Sequence, residues 1–163
     1  MELSTLESWL WKAACSIRGD VDAARYKDYI LPLIFYKRLD DVYVDELGRL
    51  ARELGVDFAQ AEQLASVDRS LTRFYIPPHA RWDEVRRQTH GLGELLTDSL
   101  RQIARDNPKL EGVINRRDFN ATDQGQRVLD DDSLSRLIEI LNEHRLGLYD
   151  VQPDILGRAY EYL

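Results

Sequence analysis

The sequence predicts a mainly α fold, a compact helical domain with short extended segments near residues 70–78 and 116–129. Three observations carry that prediction. Apolar residues recur every three or four positions through most of the 163 residues, the spacing that gathers them on one helical face. Gly19, Gly55, Gly91 and Asn107-Pro108 fall between the periodic runs, where such residues stop or start helices. The apolar share of 44% and the charged share of 31% suit one folded domain of ordinary size.

Ser4-Thr5-Leu6-Glu7 has the pattern of a capping box, so Ser4 is expected to open the first helix. Leu3, Leu6, Leu10, Ala13, Ala14 and Ile17 then line one face, with Cys15 read as a small buried residue beside them. Gly19 closes this helix. Asp22 is placed to cap a second one, which carries Tyr26, Tyr29, Ile30, Leu33, Ile34, Leu39, Val42, Tyr43, Leu47, Leu50 and Leu54 and ends at Gly55. Within it lies "YILPLIFY" (29–36), the most apolar run in the chain, interrupted by Pro32. A central strand would lose a ladder donor there. A helix loses one bond, frees the Asp28 carbonyl and kinks, at a cost of about 3 kcal/mol. The period of 3.6 continues on both flanks, which favours one long kinked helix with a buried centre; two short helices breaking at Pro32 are the alternative. Tyr29, Tyr36 and Tyr43 recur every seven residues. They read as a core-edge stripe with hydroxyls reaching water, or else as a docking stripe for a partner helix.

A short helix is expected near Asp57–Ala65. "SLTRFYIPP" (70–78) is β-prone and stopped by a double proline. Trp82 and Val85 mark a brief helix. Leu92, Leu95, Leu96, Leu100 and Ile103 form an amphipathic helix that ends near Asn107-Pro108, where another short helix opens. Asp132, Leu134, Leu137, Ile138 and Leu141 make the next. Pro153, Ile155, Leu156, Ala159, Tyr160 and Leu163 begin a last helix, which has no stop signal and is expected to continue beyond Leu163.

The totals narrow the function. No run approaches the length of about 18 apolar residues that a membrane span requires, and the N-terminus has no signal-type region. A single cysteine, Cys15, cannot form an internal disulfide, which favours a cytoplasmic location. The net charge of −7 argues against a domain that coats nucleic acid non-specifically. Residues 81–118, with 8 basic and 7 acidic side chains, are the only third that is not acidic.

His79, His90 and His144 lie 11 and 54 residues apart and have no metal-ligand spacing. Gly91-Leu92-Gly93 precedes a helix without a strand leading into it, so the glycines are read as easing a helix entry rather than cradling a phosphate. Asp40-Asp41 is read as a solvated face and Asp130-Asp131-Asp132 as a helix N-terminus. On these residues alone the chain is a cytosolic helical binding module with no catalytic, cofactor-binding or metal-ligating residue; a stand-alone interaction or regulatory module is the alternative reading.

Four stretches point further. "LWKAACSIRGDVDAARYKDYILPLIFYKRLDD" (10–41) resembles the opening of the modification subunit of type I restriction-modification systems, the HsdM family. "FYIPPHARWDEV" (74–85), "NPKLEGVINRRDFN" (107–120) and "DILGRAYEYL" (154–163) follow in that family's order. Cys15 departs from it, standing where the family more usually has Asp. The resemblance implies a helical N-terminal domain over 1–150. Residues 151–163 would begin a linker helix toward a catalytic methyltransferase domain that lies outside this chain and methylates adenine in DNA with S-adenosylmethionine. It also implies a complex with DNA, a specificity subunit, a second modification subunit and a restriction subunit.

DNA contact is expected in the non-acidic third, at Arg81, Arg86 and Arg87 near Trp82 and at Arg116 and Arg117, between the expected core residues Val113-Ile114 and Phe119. Arginine suits phosphate because its planar fork donates two hydrogen bonds and stays charged. Asp83, Glu84 and Asp118 beside these arginines allow plain surface ion pairs instead.

Overall fold

A computed structural model describes all residues, Met1–Leu163. Seven helices make up the fold: α1 (Leu3–Ser16), α2 (Tyr26–Leu54), α3 (Phe58–Val67), α4 (Trp82–Arg86), α5 (Leu92–Asp106), α6 (Asp131–Leu141) and α7 (Ile155–Tyr162). Single 3-10 turns sit at Ala23–Arg25, Arg69–Leu71, Pro78–Ala80 and Pro108–Leu110. One two-stranded antiparallel ribbon pairs β1 (Thr122–Asp123) with β2 (Gln126–Arg127), Thr122 opposite Arg127. It lies inside the predicted 116–129 segment. In 70–78, Thr72 and Pro77 have extended backbone but no ladder forms. The Asn107 side chain takes the place of a neighbouring strand there: it accepts from the Tyr75 amide at 2.8 Å and donates to the Tyr75 carbonyl at 2.7 Å.

α2 is the axis of the molecule. Tyr29, Ile30, Leu33, Ile34, Tyr36, Leu39, Tyr43 and Leu47 are all buried in one core, and α1, α3, α4, α6 and α7 each pack on this helix. It runs unbroken through Pro32 and ends at Gly55, whose positive φ of 66° supplies the left-handed stop. Pro32 offers no N–H to the Asp28 carbonyl, and Arg117 does so instead, with Nε 3.2 Å away. Each fully buried Ile, Leu or aromatic side chain contributes about 1.5–3 kcal/mol, so two of them offset the proline.

The tyrosines do not reach water. Tyr29, Tyr36 and Tyr43 are all fully inside. The Tyr36 hydroxyl donates to the Ala80 carbonyl, Tyr29 accepts from Arg25 at 3.2 Å, and the Tyr43 hydroxyl has no partner. A seven-residue spacing on a helix covered from several sides fills the core rather than its edge.

At α1 the expected cap is displaced. The helix starts at Leu3, with Glu2 in the cap position and no side-chain cap bond. The Met1 ammonium group donates to the Asp150 carbonyl at 3.2 Å, which brings the chain into the helix early and leaves Ser4 inside the first turn. The buried face is Leu6, Trp9, Leu10, Ala13 and Ala14, while Leu3 and Cys15 are exposed. Cys15 is one position, about 100° of helix rotation, beyond the alanines. Asp22 occupies a cap position without a side-chain bond.

Other caps follow the sequence. Asp57 and Gln60 form a reciprocal capping box on α3, and Asp130 accepts from the Ser133 amide at 2.8 Å to open α6. Asp131 reaches across to α5 and accepts from the amides of Gly91 and Leu92 at 3.1 and 3.0 Å. Gly93 is required by packing, because a Cβ there would stand 2.6 Å from the Phe119 carbonyl oxygen.

Candidate nucleic-acid interface

Arg81 sits at the cap position of α4 and is almost enclosed, its side chain 13% exposed. Its Nε donates to Asp40 at 2.7 Å and one terminal nitrogen to Glu62 at 2.9 Å. The Trp82 amide shares the same Asp40 oxygen at 3.0 Å. Burial works against the guanidinium charge, but Asp40 and then Glu62 more than offset it, so the Arg81 pKa is pushed up. This arginine ties α2, α3 and α4 together.

Arg86 and Arg87 follow on and just after α4. Arg86 Nε donates to Glu139 of α6 at 2.9 Å, with Asp83 at 3.6 Å. Arg87 is two-thirds exposed and donates to Glu84 at 2.9 Å. Pairs of this kind are worth roughly 0–1 kcal/mol, so a phosphate can replace either carboxylate at small cost.

The second basic pair lies on the irregular segment before β1. Arg116 is exposed, and its Nε donates to the Gly112 carbonyl. Arg117 turns inward over α2, with a terminal nitrogen 3.0 Å from the Asp28 carboxylate and its guanidinium 5.0 Å from the centre of the Tyr29 ring. Ile114 and Phe119 are buried as expected, whereas Val113 is half exposed, which leaves this flank partly open. The structure therefore divides the five arginines: Arg81 and Arg117 grip the scaffold, Arg86 bridges α4 to α6 with a third of its side chain exposed, and Arg87 and Arg116 face outward.

Sequence reasoning missed a polar staple on α2. Asp40 and Asp41, read as solvated, are 4% and 6% exposed. Their helix is covered on that side too, by the start of α4 and by the 145–150 turn. Asp41 accepts from Lys37 Nζ and from the Leu146 amide at 2.7 Å. Asp45 accepts from the Leu148 amide at 2.8 Å and from Arg145 at 2.9 Å. Arg38 donates to the Leu146 and Gly147 carbonyls, both at 2.6 Å. Burial pushes the Asp41 carboxyl up, against the opposing pull of Lys37, the Leu146 amide and Arg145. The Lys37–Asp41 pair at i and i+4 was legible in principle, whereas the partners of Asp45 come from 145–148, 100 or more residues away. No cluster of three or more His, Cys, Asp or Glu side chains is placed to hold a metal ion, and no helix is long and apolar enough to cross a membrane.

This architecture has counterparts among known proteins. The chain is similar to the type I restriction enzyme MjaIX methylase subunit of Methanocaldococcus jannaschii, 26% identical over 171 residues that cover 96% of this chain and 29% of that protein. It also resembles the crystal structure of a type I restriction-modification system methyltransferase subunit from Streptococcus thermophilus. There the TM-score is 0.63 at 22% identity, covering 99% of this chain and 38% of that one, a likeness of fold. The chain thus spans less than two fifths of either relative. The model of the HsdM N-terminal domain matches residues 6–141, from the first buried leucine of α1 to the last residue of α6, and the chain belongs to that family.

Proposed function

We propose that these 163 residues are the helical N-terminal part of a type I restriction-modification DNA methyltransferase subunit, and that they help the assembled enzyme hold DNA. The family match across residues 6–141 carries this reading. In it, S-adenosylmethionine and the transfer of its methyl group to adenine belong to a domain outside these residues, to which residues 151–163 lead. Residues 1–150 act as an assembly and contact element among DNA, a specificity subunit, a second modification subunit and a restriction subunit.

Within that reading, Arg86, Arg87 and Arg116 are the arginines we assign to phosphate, and Arg81 and Arg117 hold the backbone beneath them. Phosphate contacts position a duplex without reading its sequence. Charge reversal of Arg86 and Arg87 to glutamate in the full methyltransferase complex should therefore weaken DNA binding and lower the slope of log affinity against log salt by about one to two. The choice of target sequence should not change. Unaltered affinity and salt slope, with the complex still assembled, would remove DNA contact from α4.

A further inference from the structure

A cleft of about 640 Å³ opens between the 69–75 segment and the end of α5, away from any residue assigned above to DNA. Its volume is that of a small-molecule site, within roughly 300–1,000 Å³. Its walls are held in place: the Asn107 side chain bonds both polar atoms of the Tyr75 backbone and also donates to the Ile103 carbonyl at 2.8 Å. A wall fixed in advance loses little freedom when a ligand arrives.

One wall is a stacked pair. The Arg69 guanidinium lies 3.7 Å from the centre of the Tyr75 ring, with its Nε donating to the Ser66 carbonyl at 3.1 Å. Half-buried Phe74 and Leu110 add apolar surface. A guanidinium plane beside an aromatic and an apolar wall offers a flat ligand both stacking and cation–π attraction.

The rim supplies charge. Lys109 is exposed, and the Arg73 side chain is 68% exposed. Arg73 Nε is paired at 3.2 Å with the buried Glu46 carboxylate, whose other oxygen accepts from the Arg73 amide at 2.9 Å, and the two terminal nitrogens of Arg73 are left for a ligand. Two groups oppose the cations: Asp106, engaged by Gln102 at 3.1 Å, and the negative end of α5, equivalent to about half a charge. Arg69, Arg73 and Lys109 together stand against Asp106, Glu46 and the helix end, which leaves an excess of roughly half a positive charge in a chain whose net charge is −7. Asp106 provides the acceptor that an exocyclic amine or a ribose hydroxyl would use.

We infer that this cleft binds a nucleoside monophosphate unit, its planar base against the Arg69–Tyr75 stack and its phosphate with Arg73 and Lys109. The unit can be a free nucleotide or one residue of a single strand, and the test separates the two. AMP, inorganic phosphate and a tetradeoxyadenylate are each titrated into the 163-residue chain while backbone amides are followed by NMR. AMP should move the amides of 69–75 and 106–110. The exposed substitutions Arg69→Ala and Lys109→Glu should each weaken it about tenfold, the loss of one charge-assisted contact, with a cooperative melting transition retained and, for Lys109→Glu, an unchanged melting temperature. If only the oligonucleotide moves these amides, the nucleotide comes from a strand. The inference is overturned if phosphate alone reproduces the AMP shifts at equal affinity. It is also overturned if neither nucleotide moves them or if Lys109→Glu binds as tightly as the parent.

Discussion

Arg117 makes three contacts at once with the first turns of α2: the Asp28 carbonyl, the Asp28 carboxylate and the Tyr29 ring. A lysine there would keep the charge but could not span carbonyl and carboxylate with one planar group. Arg117→Ala should therefore cost about 1–2 kcal/mol in a urea unfolding curve, the range for a charged hydrogen bond whose acceptor is left to partial solvent. Arg117→Lys should recover less than half of that. A lysine variant as stable as the parent would show that charge alone matters at this position. An orphaned carbonyl at Asp28 can be foreseen from Pro32, but its donor cannot, because it stands 89 residues away. The same gap hid the partner of Arg81, since Asp40 is 41 residues distant. Charged residues reveal their type in a sequence and conceal their pairing.

Elements were more legible than side chains. α2, α5 and α6 could be bounded because Gly55, Asn107-Pro108 and Asp130-Asp131-Asp132 act locally, within one turn of the helix end they define. The short pieces were harder: 70–78 has strand-forming residues but gains no strand partner, because an asparagine side chain already occupies its hydrogen-bonding edge. For α2, the bound carbonyl at Asp28 suggests that its proline is accommodated rather than required. Pro32→Ala should be neutral or raise the melting temperature by a few degrees, since the new amide can take the Asp28 carbonyl while some chain entropy is lost. Ile34→Asp, at a position with no exposure, should cost about 4 kcal/mol or more and abolish the cooperative transition. A normal transition in Ile34→Asp would mean that the apolar run is not enclosed as described.

Across the whole molecule, ionisation sets the conditions under which the helices stay joined. Hydrogen bonds from backbone amides hold the Asp130 and Asp131 carboxyls below the usual range, led by Ser133 for the first and Leu92 for the second. Their folded values lie under the unfolded one, near 3.9, so their contribution is complete above that pH and is lost as the pH falls through the folded values. Asp41 runs the other way. Burial raises its folded value, so it takes up a proton first on acidification, which favours the folded chain over that small interval. The melting temperature should hold or rise slightly as pH drops toward 4 and then fall steeply below it. Asp131→Asn should flatten the steep part; an unchanged acid limb in that variant would exclude the contact between α6 and α5 as its source.

The donor that completes α2 arrives late in the chain. During folding, the first turns of the longest helix can form only with one carbonyl exposed until the segment before β1 docks on it. The central part waits on chain that comes later still, because Arg38, Asp41 and Asp45 find their partners at residues 145–148. Ile114 and Phe119 also enter the same core. The longest helix should therefore gain full protection from hydrogen exchange only when the 111–120 segment and the 145–150 turn have both docked on it.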